Sequence, residues 1–253
     1  MKTLRLTSKD FTNRNDRNEY TGDTDVSDFD GHLIIGGGVG CVWFAKICVS
    51  GNLTIEAGTY IEAGGFIKAG SFIKAGSSIK AGGSIEAGSF IEAGSFIEAG
   101  GFIEAGGFIK AGGFIKAGSS IEAGSSIEAG SFIEAGGSIE AGSFIKAGSS
   151  IEAGTYIEAG GFINAGGGIV AGLSITCKDT LTFKHNLFAG TAPWKQTSDA
   201  DRTVTCGKLN GGTIQSGLLV VTGLAEDDPN AEFRELLARL EVEVAAVREA
   251  LAQ

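Results

Sequence analysis

The sequence predicts an all-β solenoid, a parallel β-helix with three six-residue repeats in each coil and an α-helix at the C-terminus. From Ile55 to Ile175 an isoleucine recurs at every sixth residue without a slip, and a short fixed period of this kind builds a solenoid. An amphipathic helix is excluded, because at about 100° per residue successive isoleucines would scatter around the cylinder. Along two of the three rows that an eighteen-residue coil creates, the charged residue of each hexad largely alternates in sign. A glycine follows the alanine of every hexad through Gly172, as a chain that turns at regular corners requires.

The unit is typified by Ser71-Phe72-Ile73-Lys74-Ala75-Gly76. Side chains alternate across an extended strand, so Ser71 and Ile73 are expected to face inward, with Phe72 and Lys74 outward. Each hexad would then deliver one isoleucine and one Ser or Gly to a narrow core and keep its charge in water. Glycine would supply the corner through dihedrals that a Cβ obstructs.

Charge sets the number of hexads per coil. With three, stacked neighbours lie eighteen residues apart, and one row reads Glu56, Lys74, Glu92, Lys110, Glu128, Lys146. The next begins Glu62, Lys80, Glu98, Lys116, Glu134. Opposite charges on adjacent strands attract and like charges repel, each by a few tenths to ~1 kcal/mol. Two hexads per coil would place Lys68 on Lys80 and Glu92 on Glu104. Three per coil gives seven coils and a rod of ~30 Å from the strand spacing.

The repeat Ile91-Glu92-Ala93-Gly94-Ser95-Phe96 resembles the hexapeptide-repeat family: an aliphatic residue, then Gly/Ala/Glu/Asp, two free positions, a small residue and one free position. The likeness covers residues 49–176, with departures where Lys takes the second position and Gly replaces the small residue. It implies a left-handed parallel β-helix of triangular section. Many members of that family are acyltransferases with a histidine general base between subunits. No histidine occurs in the repeats here; the two in the chain are His32 and His185. His185, beside Lys184, Asn186 and the Trp194 loop, is the single weak catalytic candidate, and no catalytic residue, cofactor or metal is otherwise expected.

Four segments follow: an N-terminal polar segment and β cap over 1–48, the repeats over 49–176, an irregular β extension over 177–225, and a C-terminal helix over 226–253. In the first, Asp23, Asp25, Asp28 and Asp30 lack the register, glycine and closing Glu of an EF-hand and read as a solvated loop. Trp43 and Val49 continue the six-residue register backwards, and this stretch is expected to cap the first coil against edge-to-edge aggregation. Cys41, Cys48, Cys177 and Cys206 show no CxxC pairing and are expected as buried reduced thiols. In the third segment, Thr180 to Phe183, Thr203 to Cys206 and Leu218 to Val221 read as irregular terminal strands. In the last, Phe233, Leu237, Leu240, Val244, Val247 and Leu251 form the a/d stripe of a coiled coil, implying self-association.

Composition narrows the function classes. A net charge of -10 opposes direct binding to nucleic acid or anionic membranes by simple attraction. No apolar run approaches the ~20 residues of a membrane helix, and the N-terminus lacks a secretory signal's apolar core, so a cytoplasmic location is expected.

Two surface patterns remain. Phe72, Phe90, Phe108, Phe144 and Phe162 form one outward column and Phe96, Phe114 and Phe132 another, long enough to suggest packing surfaces. The third row differs from the others, reading Lys68, then Glu86, Glu104, Glu122, Glu140 and Glu158, an acidic ladder suited to a basic partner. Together these favour a non-catalytic scaffold that forms homo-oligomers or docks a protein partner. Bactofilin-like polymers offer the nearest functional analogy. The alternatives are an acyltransferase and an acidic DNA-mimic inhibitor like the pentapeptide-repeat β-helices; regular Thr-x-Thr rows suited to ice are absent.

Overall fold

The computed structural model describes residues 1–14 and 17–222. The predicted helix over 226–253, with Leu237, Leu240, Val244, Val247 and Leu251, lies outside the described residues.

Each hexad forms a three-residue strand, Ile-X-Ala, and its other three residues make a corner. Because the strand begins at isoleucine, its two inward positions are isoleucine and alanine; Ile109 is 0% exposed and Ala111 2%. Ser71, expected inside, sits half-buried at the corner with Phe72. The core is thus a column of Ile and Ala rather than Ile and Ser or Gly.

Successive strands on each face are parallel and in register at eighteen residues. On the first face Ile73, Ile91, Ile109, Ile127, Ile145 and Ile163 stack in line. The second aligns Ile79 through Ile169 and the third Ile67 through Ile175 in the same way. Three hexads per coil is therefore the observed geometry.

The solenoid is longer than the repeat. Ten strands stack on the third face, from Ile47–Val49 to Leu218–Val221. This makes about ten turns rather than seven, and about 43 Å from nine strand spacings. The flanks continue the coil without its hexads. Strand Thr180–Ala189 bends around a corner, carrying Leu181 onto Ile163 of the first face and Leu187 onto Ile169 of the second. Thr203–Cys206 then extends the third face, pairing Val204 with Ile175.

At the other end the register shifts. Ile73 pairs with Leu53 and Ala75 with Ile55, so Ile55 occupies the alanine row. Val49 likewise faces Ala69, and Val42, not Trp43, faces Ile61. Trp43 therefore points outward, opposite Glu62. Extrapolating the hexad backwards fails because the strand after the turn at Gly58, φ +76°, starts at Thr59, two residues before Ile61, and because Val42 lies nineteen rather than eighteen residues before Ile61. Glu56 consequently leaves the charge row: Lys74 faces Thr54, while Glu56 pairs with Arg5 at 2.8 Å and accepts Gly37 N–H.

The N-terminal end is closed by a hairpin, Phe11–Arg14 against Arg17–Tyr20, laid on Gly40–Phe44. Phe11, Tyr20 and Phe44 plug it with ring centroids 5.3 to 5.9 Å apart. The strands Gly31–Ile35, Gly40–Phe44 and Ile47–Val49, in the stretch expected to cap the first coil, instead continue the coil, and the hairpin closes it.

All four cysteines are free. Cys177 and Cys206 take the alanine row of the third face, where burial pushes the Cys177 thiol up to about 12 and raises Cys206. Cys41 and Cys48 are only half-buried, on outward positions facing Tyr60 and Lys68, so the buried-thiol expectation fails for this pair. Among the described residues no helix is long and apolar enough to cross a membrane.

Candidate functional site

The outward residue of each Ile-X-Ala strand is the only one of the three that meets water, so each face displays one row of side chains at the strand spacing of ~4.8 Å. The rows differ in charge. On the first face Lys74 reaches Glu92 at 3.3 Å, and Glu128 is held by Lys110 and Lys146, each at 3.4 Å. On the second, Lys80 pairs with Glu98 at 3.5 Å and Lys116 with Glu134 at 2.7 Å. These pairs are substantially exposed, and each contributes little to stability.

The third face carries one such pair, Lys68 with Glu86 at 2.6 Å. Beyond it Glu86, Glu104, Glu122, Glu140 and Glu158 stand directly opposite one another on successive strands, as the sequence predicts. Among the described residues no lysine or arginine lies within ion-pair distance of Glu104, Glu122 or Glu158. Like charges set directly opposite destabilise a sheet, so the row costs the fold something at each step. Glu140 is steadied differently: one carboxylate oxygen accepts Tyr156 Oη at 2.6 Å and Ser138 Oγ at 2.9 Å. That bond, together with burial, raises the Tyr156 phenol above its ordinary value. Ser138 and Tyr156 are eighteen residues apart in one corner column, and both reach across to Glu140 in the carboxylate row, a cross-row contact that periodicity does not announce.

The phenylalanines form ring stacks. Phe72, Phe90 and Phe108 lie at 4.8 Å centroid spacing, as do Phe144 and Phe162, with Ser126 interrupting the column between them. Phe96, Phe114 and Phe132 stack at 4.9 Å. They sit at corners and are half-buried, except Phe162 at 36% exposure. Their rings cover one another, so the columns expose less apolar surface than outward-pointing strand residues would.

Among the described residues no side-chain hydrogen bond or ion pair joins the His185 ring. Lys184 and His185 lie exposed at the corner between the first and second faces. Trp194 stands beside Gly172, at the corner between the second and third, and Asp199 is bound to Arg202 at 2.8 Å. His185 and Trp194 thus stand at different corners of the coil. His32 accepts the Asn52 N–H through Nδ1 at 3.0 Å, a bond that ties two coils together. Asp25 accepts the Ser27 N–H and Asp30 the Ser50 hydroxyl, and no metal-holding group of His, Cys, Asp or Glu occurs among the described residues.

Comparison of the chain with protein-family models, with curated proteins and with solved structures finds no match.

Proposed function

We propose that this protein is a non-catalytic scaffold, a β-solenoid rod whose third face docks a basic protein surface. The observation that carries the reading is the carboxylate row Glu86 to Glu158. Two faces relieve most of their charge within the chain, with a single like-charged step at Glu134 and Glu152, whereas this one keeps like charges in register over five strands. A cationic partner laid along the rod would remove that repulsion and gain a charge at each ~4.8 Å step. A column core shared between neighbouring coils makes the rod stiff, as docking along its length needs.

The finer assignments belong to the same reading: membership of the hexapeptide-repeat superfamily with left-handed coiling, a cytoplasmic location, and self-association through the apolar stripe of 226–253. Bactofilin-like assemblies remain the functional analogy.

The test uses the full chain and an oligolysine peptide. The triple variant Glu104→Gln, Glu122→Gln, Glu158→Gln is expected to bind at least tenfold more weakly than the parent, and the parent's affinity to fall steeply with salt. Neutralising Glu92, Glu98 and Glu128 on the other faces should change affinity less than threefold. Equal losses from the two triple variants would make binding a matter of net charge and remove the third face from the account. Turnover of acetyl-coenzyme A with amine or hydroxyl acceptors, abolished by His185→Ala, would overturn the non-catalytic reading.

A further inference from the structure

Trp43, one of the residues whose place the sequence pattern misses, borders a concavity of the surface. A cleft of about 370 Å³ opens at the N-terminal end, between the outward side of strand Gly40–Phe44 and the loop of residues 21–27. Trp43, Tyr20 and the buried Phe44 contribute aromatic lining. The lining also includes Asp23 and Asp25, both exposed, with Glu19 on the strand beside Trp43.

The cleft is built rather than left open by chance. Tyr20 Oη donates to the Thr24 carbonyl at 3.0 Å, and Gly22 lies so close over the Tyr20 ring that a Cβ there would meet it at 2.6 Å. The loop then docks on the third face, where Cys48 N–H donates to the Val26 carbonyl at 2.9 Å. The cation in the lining, Lys46, has its ammonium 5.8 Å from the Phe66 ring centroid, toward the next coil.

We propose that this cleft binds a compact organic cation of the alkylammonium class. An indole face beside carboxylates is the combination that recognises such a cation: the ring quadrupole attracts the charge over its face, the carboxylates attract it at longer range, and the alkyl groups pack against the rings. A neutral ligand of the same shape gains only the packing. An anion meets the exposed carboxylates Asp23 and Asp25, against Lys46 among the described lining residues. This site is separate from the third-face row and stands or falls independently of it.

The probe is choline, with 3,3-dimethylbutan-1-ol as its uncharged counterpart. In full-length protein carrying Trp194→Phe, Trp43 is the sole tryptophan, and its fluorescence reads the cleft directly. Choline is expected to give a saturable change, and the alcohol to bind at least tenfold more weakly. Asp23→Asn with Asp25→Asn should weaken choline at least tenfold with the melting temperature unchanged, since both side chains are exposed and the amide oxygen introduced by Asp25→Asn can still accept the Ser27 N–H. Trp43→Leu, followed by calorimetry, should abolish binding. No saturable response to choline, equal affinity for choline and the alcohol, or choline affinity unaltered by the paired Asp→Asn changes or by Trp43→Leu overturns the assignment.

Discussion

Replacing Gly112 by alanine is expected to destabilise the solenoid by about 1 to 3 kcal/mol, the cost of overpacking a close contact. A Cβ at this position would stand 2.1 Å from the carbonyl oxygen of Gly94, one coil below. The contact is backbone to backbone, so no flexible side chain can swing away. The same approach, at 1.9 to 2.3 Å, recurs at the glycine after alanine from Gly82 to Gly172. These corner glycines do not have left-handed dihedrals; the positive-φ glycines, among them Gly38, Gly40, Gly58 and Gly190, lie outside the regular corners. Alanine would also recover ~0.4 to 1 kcal/mol by restricting the unfolded chain, which offsets only part of the clash. Gly113→Ser is the control. A Cβ there meets Ser95 O at 3.1 Å, a contact that a shift of tenths of an ångström relieves, and other hexads already carry serine at this place. Urea unfolding should show a lowered midpoint for Gly112→Ala and a midpoint near the parent's for Gly113→Ser. Equal midpoints for the two variants would remove close stacking as the reason for the glycine.

Truncating Ile109 to alanine is expected to cost about 2 to 5 kcal/mol, since the side chain is 0% exposed and stacks between Ile91 and Ile127. The column cannot collapse around the gap, because each coil is held in register by its backbone ladder above and below. In a solenoid each repeat contacts only its neighbours, so the loss falls on the two adjoining interfaces. The adjacent residue gives a measure of scale: Lys110→Ala removes an exposed ion pair with Glu128 at 3.4 Å and should cost no more than ~1 kcal/mol. If denaturant melts show Ile109→Ala no more destabilised than Lys110→Ala, the isoleucine column is not the core.

The coil was legible in the sequence because period and charge answered separate questions. Isoleucine spacing gave the hexad, and the sign alternation from Lys74 to Lys146 chose three hexads per coil. The interior partner of isoleucine was misassigned because alternation was counted from Ser71, whereas the strand begins at Ile73 and the corner absorbs the serine. Trp43 and Ile55 were misplaced for a related reason. The strand after Gly58 starts two residues before Ile61, which moves Ile55 from one inward row to the other, and the nineteen-residue step from Val42 to Ile61 turns Trp43 outward. The flanking strands were readable as strands but not as coils, since Leu181, Leu187 and Val204 stack on the isoleucine rows after interruptions of irregular length. The acidic row was read correctly because it obeys the same register as the core. The cleft beside Trp43 was not, because a loop and an outward strand residue, distant in period, create it.

The most direct test of the eighteen-residue coil is dipolar broadening between paired spin labels. Cys177 and Cys206 would be replaced by alanine, which fills that row in other coils, and Cys41 and Cys48 by serine. Labels at Glu92 and Lys110 sit on adjacent strands of one face, ~4.8 Å apart at the backbone, and the account predicts strong broadening. Labels at Glu92 and Glu104 sit on different faces and should show little. Strong broadening for 92 with 104 and little for 92 with 110 would mean a twelve-residue coil, and would contradict the stacked faces from which the function is argued.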